Sequence, residues 1–229
     1  MVSEQVVKIA IAEDHNIFRK ILADSLQYSE NNFDVVFHVG NGLDLINELR
    51  KNQIDVVIID LNMPIMSGDK AIDIISSEFP NIKIIILSFY HDIDMICDYF
   101  SKGVNAFLPK ECDIEDLIDA IFSVIRIGYY INEYSEIPFR KRISQNKLNI
   151  SKNEKITLSD REIEIIKLTC LQLCSKQISD RLFISVRTVE NYRHRIGKKI
   201  GSNNSIGLVL YALYNGIVQI SSSGKIETD

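Results

Sequence analysis

Over the first 127 residues, two kinds of apolar pattern alternate. Val6–Ala12, Phe33–Val39, Asp55–Ile59, Ile82–Leu87 and Ala106–Leu108 are nearly continuous apolar runs. Such runs mark strands buried on both faces. Between them, Ile17–Tyr28, Leu43–Lys51, Lys70–Glu78, Ile93–Ser101 and Ile114–Ile127 space their apolar residues three and four apart. That spacing gives a helix one buried face. Five strands alternating with five helices predict a parallel α/β sheet covered on both sides. From Leu158 onward the pattern is helical only. Ser159-x-x-Glu162 is a capping box opening Ile163–Leu171, and Lys176–Leu182 follows. Ser185 then caps Val186–Ile200, Gly201 ends that helix, and Ser205–Asn215 forms the last one. Helices joined by a tight turn before the third predict a helix-turn-helix.

Composition sharpens this division. The 229 residues carry a net charge of −5, unevenly spread. Residues 1–127 hold 10 Lys/Arg against 21 Asp/Glu, a net of −11, whereas residues 156–216 hold 9 against 5, a net of +4. An acidic front and a basic back imply two domains with different partners, the basic one suited to nucleic acid. We place the domains at 1–127 and 157–218, with a linker over 128–156 and a polar, disordered tail over 219–229. The linker is rich in Tyr, Asn, Ser and Lys, and its basic quartet Phe139-Arg140-Lys141-Arg142 reads as solvated charge. No apolar run is long enough to cross a bilayer. The N-terminus has neither the basic nor the apolar region of a signal peptide, so a cytoplasmic protein is expected. Cys97, Cys112, Cys170 and Cys174 show no metal spacing and read as packing residues in a reducing compartment.

The chemistry lies at the strand ends. Strand one ends in Glu13-Asp14, strand three in Asp60, strand four in Ser88 and strand five in Pro109-Lys110. In an open parallel sheet these ends share one edge, where sites are built. Each residue alone has an ordinary explanation as a cap or a surface charge, but their joint occurrence at four strand ends does not. Clustered carboxylates repel one another unless a cation is present, and hard oxygen ligands favour Mg²⁺. Lys110 adds a point charge and Ser88 a donor hydroxyl. Together they form an electrostatic clamp for phosphoryl transfer onto a carboxylate.

Glu13-Asp14, Asp60-x-x-Met63-Pro64-x-Met66-x-Gly68, Ser88 and Gly103-Val104-Asn105-Ala106-Phe107-Leu108-Pro109-Lys110 resemble the receiver domain of two-component response regulators. The resemblance covers about residues 6–127. It implies a flavodoxin-like fold with strand order 2-1-3-4-5. It implies that Asp60 accepts a phosphoryl group from a sensor histidine kinase or phosphorelay protein. Glu13, Asp14, Asp60 and the Asn62 carbonyl would hold Mg²⁺. Ser88 and Phe107 would form a switch pair, with the ring following the hydroxyl inward. Phe107 stands where Tyr is frequent, which leaves packing as its only means of switching. Phe89-Tyr90 stands where a small residue is common, and Tyr90 is expected to shield the phosphoryl group from water.

A second resemblance covers about residues 157–218. It runs through Leu158-Ser159-x-Arg161-Glu162, Lys176-Gln177-Ile178-Ser179, Leu182-Phe183-Ile184-Ser185-x-x-Thr188-Val189-Glu190-Asn191-Tyr192 and Ile196-x-x-Lys199-Ile200-Gly201. These look like the four-helix, LuxR-type DNA-binding domain of the NarL/FixJ family. Arg187, Arg193, Arg195, Lys198 and Lys199 face one acid, Glu190, on a single helix, a charge pattern suited to phosphates. Arg187 and Thr188 suit backbone contact. By family position Glu190, Asn191 and His194 face base edges, Asn suiting adenine and Glu cytosine. Val189 and Ile196 are expected in the core. Gln172 stands where the family usually has Gly, Tyr192 where it has His, and Asp160 where Pro is common. The last helix is expected to pair two such domains on a two-fold-symmetric site.

The combined expectation is a phosphorylation-controlled transcription factor, cytoplasmic, dimeric when phosphorylated, with double-stranded DNA as partner and no membrane. It is not an enzyme beyond its own phosphorylation and dephosphorylation. One rival is a receiver that regulates without phosphate, although such chains usually lose an acid or the lysine. The other is an aspartate-nucleophile phosphatase of the haloacid-dehalogenase type. Those enzymes use a second Asp two residues on as general acid, and Asn62 cannot fill that role.

Overall fold

The computed structural model describes residues 6–89, 93–132, 156–200, 205–220 and 226–227. Tyr90, the basic quartet at 139–142 and Gly201 lie outside the described residues. The chain divides into two compact units, Met1–Asp92 with Val104–Ile125, and Ile93–Gly103 with Arg126–Asp229. The grouping does not follow the sequence boundary at 127, since Ile93–Gly103 belongs with the second unit.

The first unit is built on a five-stranded sheet in the order β2-β1-β3-β4-β5. Its strands are β1 (Val7–Ala12), β2 (Phe33–Val39), β3 (Val56–Asp60), β4 (Lys83–Ser88) and β5 (Ala106–Pro109), all parallel. Strand order and direction are those expected from the sequence. Every residue of β3 is buried, which is why this strand shows no polar alternation. The intervening helices are α1 (Asn16–Gln27), α2 (Gly42–Leu49), α3 (Gly68–Glu78) and α5 (Ile114–Ile127). Asn41 caps α2, its side chain accepting from the Asp44 N–H. Asn105 extends the β4–β5 ladder by one residue. Its Oδ1 accepts from the Ile84 N–H while its own N–H donates to the Ile84 carbonyl, both at 2.8 Å.

The second unit contains α4 (Ile93–Ser101), α6 (Asp160–Cys170), α7 (Ser175–Leu182), α8 (Val186–Ile200) and α9 (Ser205–Tyr214). The capping box forms as the sequence predicts, with the Ser159 hydroxyl accepting from the Glu162 N–H and the Glu162 carboxylate accepting from the Ser159 N–H. Leu168, Ile178 and Val189 form a core with Leu173, Leu182 and Ile184 packed around it. Two features depart from the sequence reading. Tyr129, assigned to the linker, is fully buried, and its hydroxyl donates to the Thr169 carbonyl at 3.0 Å. The tail, expected to be disordered over 219–229, instead pairs Gln219–Ile220 (β6) with Ile226–Glu227 (β7) as an antiparallel ladder.

Among the described residues, three that are not glycine have positive φ: Ile65 (65°), Gln172 (60°) and Phe183 (54°). Gln172 occupies a position where the family's usual glycine would meet this need without strain. Ile65 is more strained than Gln172, because its branched Cβ crowds the backbone while its side chain, 80% exposed, gains little from packing. Relief of ~1–2 kcal/mol of left-handed strain outweighs the ~0.4–1 kcal/mol of unfolded-state entropy that glycine adds. Ile65→Gly therefore raises the denaturation midpoint of the full chain, and Gln172→Gly raises it less. Urea unfolding followed by circular dichroism gives the ranking.

Candidate functional site

The register of the sheet assembles the first site. Ala12 pairs with Ile59, Asp60 with Leu87, and Ser88 with Pro109. The loop after β1, the last residues of β3 and β4, and the residue following β5 therefore meet along one edge. Glu13 and Asp60 are only 2% and 4% exposed, and Ser88 is fully buried. The Lys110 ammonium bridges the two acids, 2.7 Å from Glu13 Oε2 and 2.9 Å from Asp60 Oδ2. One oxygen each from Glu13, Asp14 and Asp60, with a nitrogen of His15, lie within 4.8 Å of one another. Asp14 Oδ1 is buried without a hydrogen-bond donor, and His15 Nδ1 lies 3.0 Å from it.

The surrounding chain fixes this arrangement. Gly68 sits so close to the end of β3 that a Cβ would overlap the Asp60 carbonyl oxygen and lie 2.8 Å from Leu61 Cα. Its N–H donates to the Leu61 carbonyl at 2.9 Å, closing the loop. The Asn62 N–H donates to the Asp60 carboxylate. Burial pushes the Asp60 carboxyl up, Lys110 pulls it back, and Glu13 adds to the rise, leaving it above the ordinary value. A three-carboxylate set with one ammonium, one buried oxygen lacking a donor and one acid disfavoured as an anion is a donor set that fits a hard divalent cation. Phe107 is buried on β5, so its ring already lies inside the unit. Arg19 was missed by sequence reasoning. Its guanidinium donates to the carbonyls of Glu13 and Asp14 and to Asn16 Oδ1, fixing the acidic loop. The available signal was weak: Arg19 lies one turn into the helix after the acid pair, directly followed by Lys20.

The second site is the exposed side of α8. Arg187, Glu190, Asn191, His194 and Lys198 are exposed, whereas Val189 and Ile196 are buried, as the helical spacing requires. Ser185 caps the helix through the Thr188 N–H at 3.1 Å and also bonds the Thr188 hydroxyl. Arg193 is a correction to the DNA-facing set. Its guanidinium turns inward and donates to Thr169 Oγ1, Ser175 Oγ and the Leu173 carbonyl at 3.1–3.3 Å, bracketing α8 to the α6–α7 turn. Arg195 and Lys199 are shared with Glu162, at 3.2 and 2.8 Å, and Arg195 also stacks over Tyr192. Arg195 and Lys199 stay exposed while sharing that carboxylate, so Arg193 alone of the five turns inward, and charge on a helix does not report which way it points. Cys112 and Cys170 are pushed up by burial, to about 11 and about 12, so both remain thiols.

Comparison with known proteins identifies both halves of the chain. Residues 9–122 match the response regulator receiver domain and residues 156–212 the bacterial regulatory proteins of the luxR family. The oxygen regulatory protein NreC of Staphylococcus carnosus is 31% identical, the match covering 90% of this chain and 97% of that protein. The transcriptional regulatory protein DegU of Brevibacillus brevis is 28% identical over 96% of this chain and 98% of its own. Among solved structures, a complex of the response regulator RcsB with DNA superposes with a TM-score of 0.55 at 23% identity, covering 92% of this chain and 99% of that one. RcsB of Salmonella enterica serovar Typhimurium, bound to a promoter with the phosphomimetic BeF3−, gives 0.56 at 24%, covering 92% and 100%. These two likenesses concern the fold.

Glu162 generates a pH prediction. Burial alone would raise its carboxyl, but Lys199 and Ser159 outweigh that and hold it at about 2, below the ordinary 4.5. A depressed carboxyl stabilises the fold above its unfolded value, and that contribution fades as pH falls from about 4.5 towards about 2. In urea titrations of the full chain across that interval, Glu162→Gln is expected to lose less stability than the wild type.

Proposed function

The chain belongs to the two-component response regulators that join a receiver domain to a LuxR-type DNA-binding domain, and from this premise we propose that Asp60 is its phosphoacceptor. It is a DNA-binding transcription regulator by family. The proposal adds that a sensor histidine kinase or phosphorelay protein supplies the phosphoryl group, and that the modification changes dimerisation and DNA binding. The observation carrying it is the bridged pair, with one ammonium within 3 Å of both Glu13 and Asp60 at the strand-end edge.

The step follows from the groups present. An Asp60 oxygen attacks phosphorus, the bond from phosphorus to the donor nitrogen or oxygen breaks, and the donor leaves with its electron pair. Lys110 stays protonated and turns one of its three donors to a phosphoryl oxygen. The buried Ser88 hydroxyl would donate to another. Glu13, Asp14, Asp60 and the Asn62 carbonyl would hold Mg²⁺, which neutralises charge on the transferring group. Domain limits of 1–127 and 157–218 and a cytoplasmic setting belong to the same reading. No helix among the described residues is long and apolar enough to cross a membrane. All five receiver groups are retained, which favours phosphate control over a receiver that works without it.

Intact mass after incubation with Mg²⁺ and acetyl phosphate tests the assignment. One added phosphoryl group is expected, absent in Asp60→Ala. No adduct in the wild type would remove it. Mg²⁺ without donor should also raise the melting temperature, by the equivalent of about 1.4 kcal/mol at tenfold over its dissociation constant. Asp14→Asn is expected to blunt that rise.

On DNA, the two kinds of arginine separate. We propose Arg187, Thr188 and Lys198 as backbone contacts and Glu190, Asn191 and His194 as base readers, with Arg195 and Lys199 contributing charge while shared with Glu162. Losing a phosphate contact reduces the salt slope of binding by about 1. Arg187→Ala and Lys198→Ala should each do so. Arg193→Ala should instead lower stability by about 1–3 kcal/mol, because it takes the donor from the buried Thr169 hydroxyl and from two part-buried acceptors, and leave the slope alone.

A further inference from the structure

Lys110 is held on four sides, and only two of them are acids. Its ammonium lies 5.1 Å from the centre of the Phe89 ring and 5.5 Å from that of Phe18. Glu13 and Asp60 contact the same ammonium at 2.7 and 2.9 Å. The two rings come from separate elements. Phe18 lies in α1, and Phe89 immediately follows Ser88 at the end of β4. The lysine side chain is 3% exposed, whereas Phe89 is 58% exposed. A large ring so open to water gains little from burial where it stands. What it does reach is the buried cation. Aromatic faces carry a negative quadrupole and attract a cation within about 6 Å of the ring centre.

We propose that Phe89, together with Phe18, is a positioning residue that clamps the Lys110 ammonium for phosphoryl transfer to Asp60; this rests on the Asp60 reading above. The choice of rings over oxygens has a chemical reason. A lysine ammonium has three protons, and the two carboxylates engage two of them. A further oxygen acceptor would capture the third and compete with the incoming phosphoryl oxygen. A ring face attracts the charge without demanding a particular N–H direction. The ammonium is thus held in place while one proton stays available to turn towards the phosphoryl group. The transfer itself is unchanged: the Asp60 oxygen bonds to phosphorus, the donor departs with its electron pair, and Lys110 neither gains nor loses a proton. The clamp acts by restricting the flexible lysine chain before the donor arrives, so the transition state needs less ordering.

This role separates from simple shielding by bulk. Leucine keeps apolar bulk without a π face, and tyrosine keeps the face. The full chain is incubated with Mg²⁺ and acetyl phosphate, and the rate of phosphoryl gain is followed by intact mass at several donor concentrations. Phe89→Leu should lower the rate at saturating donor by about three- to tenfold, the size of a partly desolvated cation–π contact. The donor concentration at half-saturation should not move. Phe89→Tyr should restore the rate. A Phe89→Leu protein as fast as the wild type, or faster, overturns the clamp, as does a Phe89→Tyr protein as slow as Phe89→Leu. A second readout needs no phosphorylation. In protein with ¹³C-labelled lysine, the Lys110 ε-CH₂ protons should be shifted upfield by the rings, less so in Phe89→Leu, and as in the wild type in Phe89→Tyr. An ε-CH₂ signal unmoved by Phe89→Leu overturns the clamp while leaving the Asp60 reading intact. A wild-type protein that takes no phosphoryl group removes the Asp60 reading, and the proposal with it.

Discussion

Three carboxylates held within 4.8 Å, two of them almost fully buried, make an arrangement that a folded chain does not adopt without compensation. Water would separate them, and burial in low dielectric makes each anion costlier. Lys110 is the internal compensation, and much of the first unit can be understood as holding it opposite Glu13 and Asp60. The fully apolar run of β3 delivers Asp60 to the sheet edge. The β4–β5 register places Lys110 one residue beyond the Ser88–Pro109 pair. Gly68 lets the following loop fold back onto the Asp60 carbonyl, and Arg19 fastens the loop bearing Glu13 and Asp14. The left-handed backbone at Ile65 is strain carried by that same loop, consistent with a local cost met by the surrounding structure.

The second unit uses the same physics with the charges reversed. There a single buried acid, Glu162, is surrounded by cations and donors from Lys199, Arg195 and Ser159. It belongs to the capping box of α6 and to the far end of α8 at once, so one carboxylate sets the start of one helix and the seating of another. Arg193 does the complementary work nearer the middle of α8, with all three of its nitrogens donating to the α6–α7 region. Three of the five cations on this helix are thereby tied to the protein. Arg195 and Lys199 remain exposed but share one carboxylate, so the exposed side carries less net positive charge than its five cations suggest, and it presents Arg187 and Lys198 beside Glu190, Asn191 and His194.

Most of the fold could be read from the chain because its signals are local. Continuous apolar runs identified the five strands, and the capping box identified the start of α6. Asp60, Lys110, Glu13, Asp14 and Ser88 were legible because strand ends are topologically determined in a parallel sheet. What escaped was orientation and long-range contact. The inward turn of Arg193 depends on acceptors 18 to 24 residues away. The burial of Tyr129 depends on a carbonyl 40 residues away in a segment that sequence placed beyond a linker. Nor could hydropathy detect the rings beside Lys110, since one lies in a helix and the other follows a strand, and neither pattern reports what the ring faces.

The charge distribution constrains how phosphorylation could reach DNA. The acidic front carries −11, and an acyl phosphate makes it more negative. Its direct field on a DNA duplex is repulsive, so activation by electrostatic attraction of the receiver has the wrong sign. That field is also weak at a distance, because exposed charges are screened beyond about 8 Å at physiological salt. Any gain in DNA binding must therefore come from a stronger effect than the receiver's own charge. Bringing a second DNA-binding domain onto the same duplex is such an effect: linked sites gain about 10²- to 10⁴-fold without any new contact. Such a gain corresponds to roughly 3–5 kcal/mol, well above what a single screened charge contributes. On the proposal that Asp60 is the phosphoacceptor, release of the basic domain and pairing of two such domains are both effects of the required size, whereas the receiver's own charge is not.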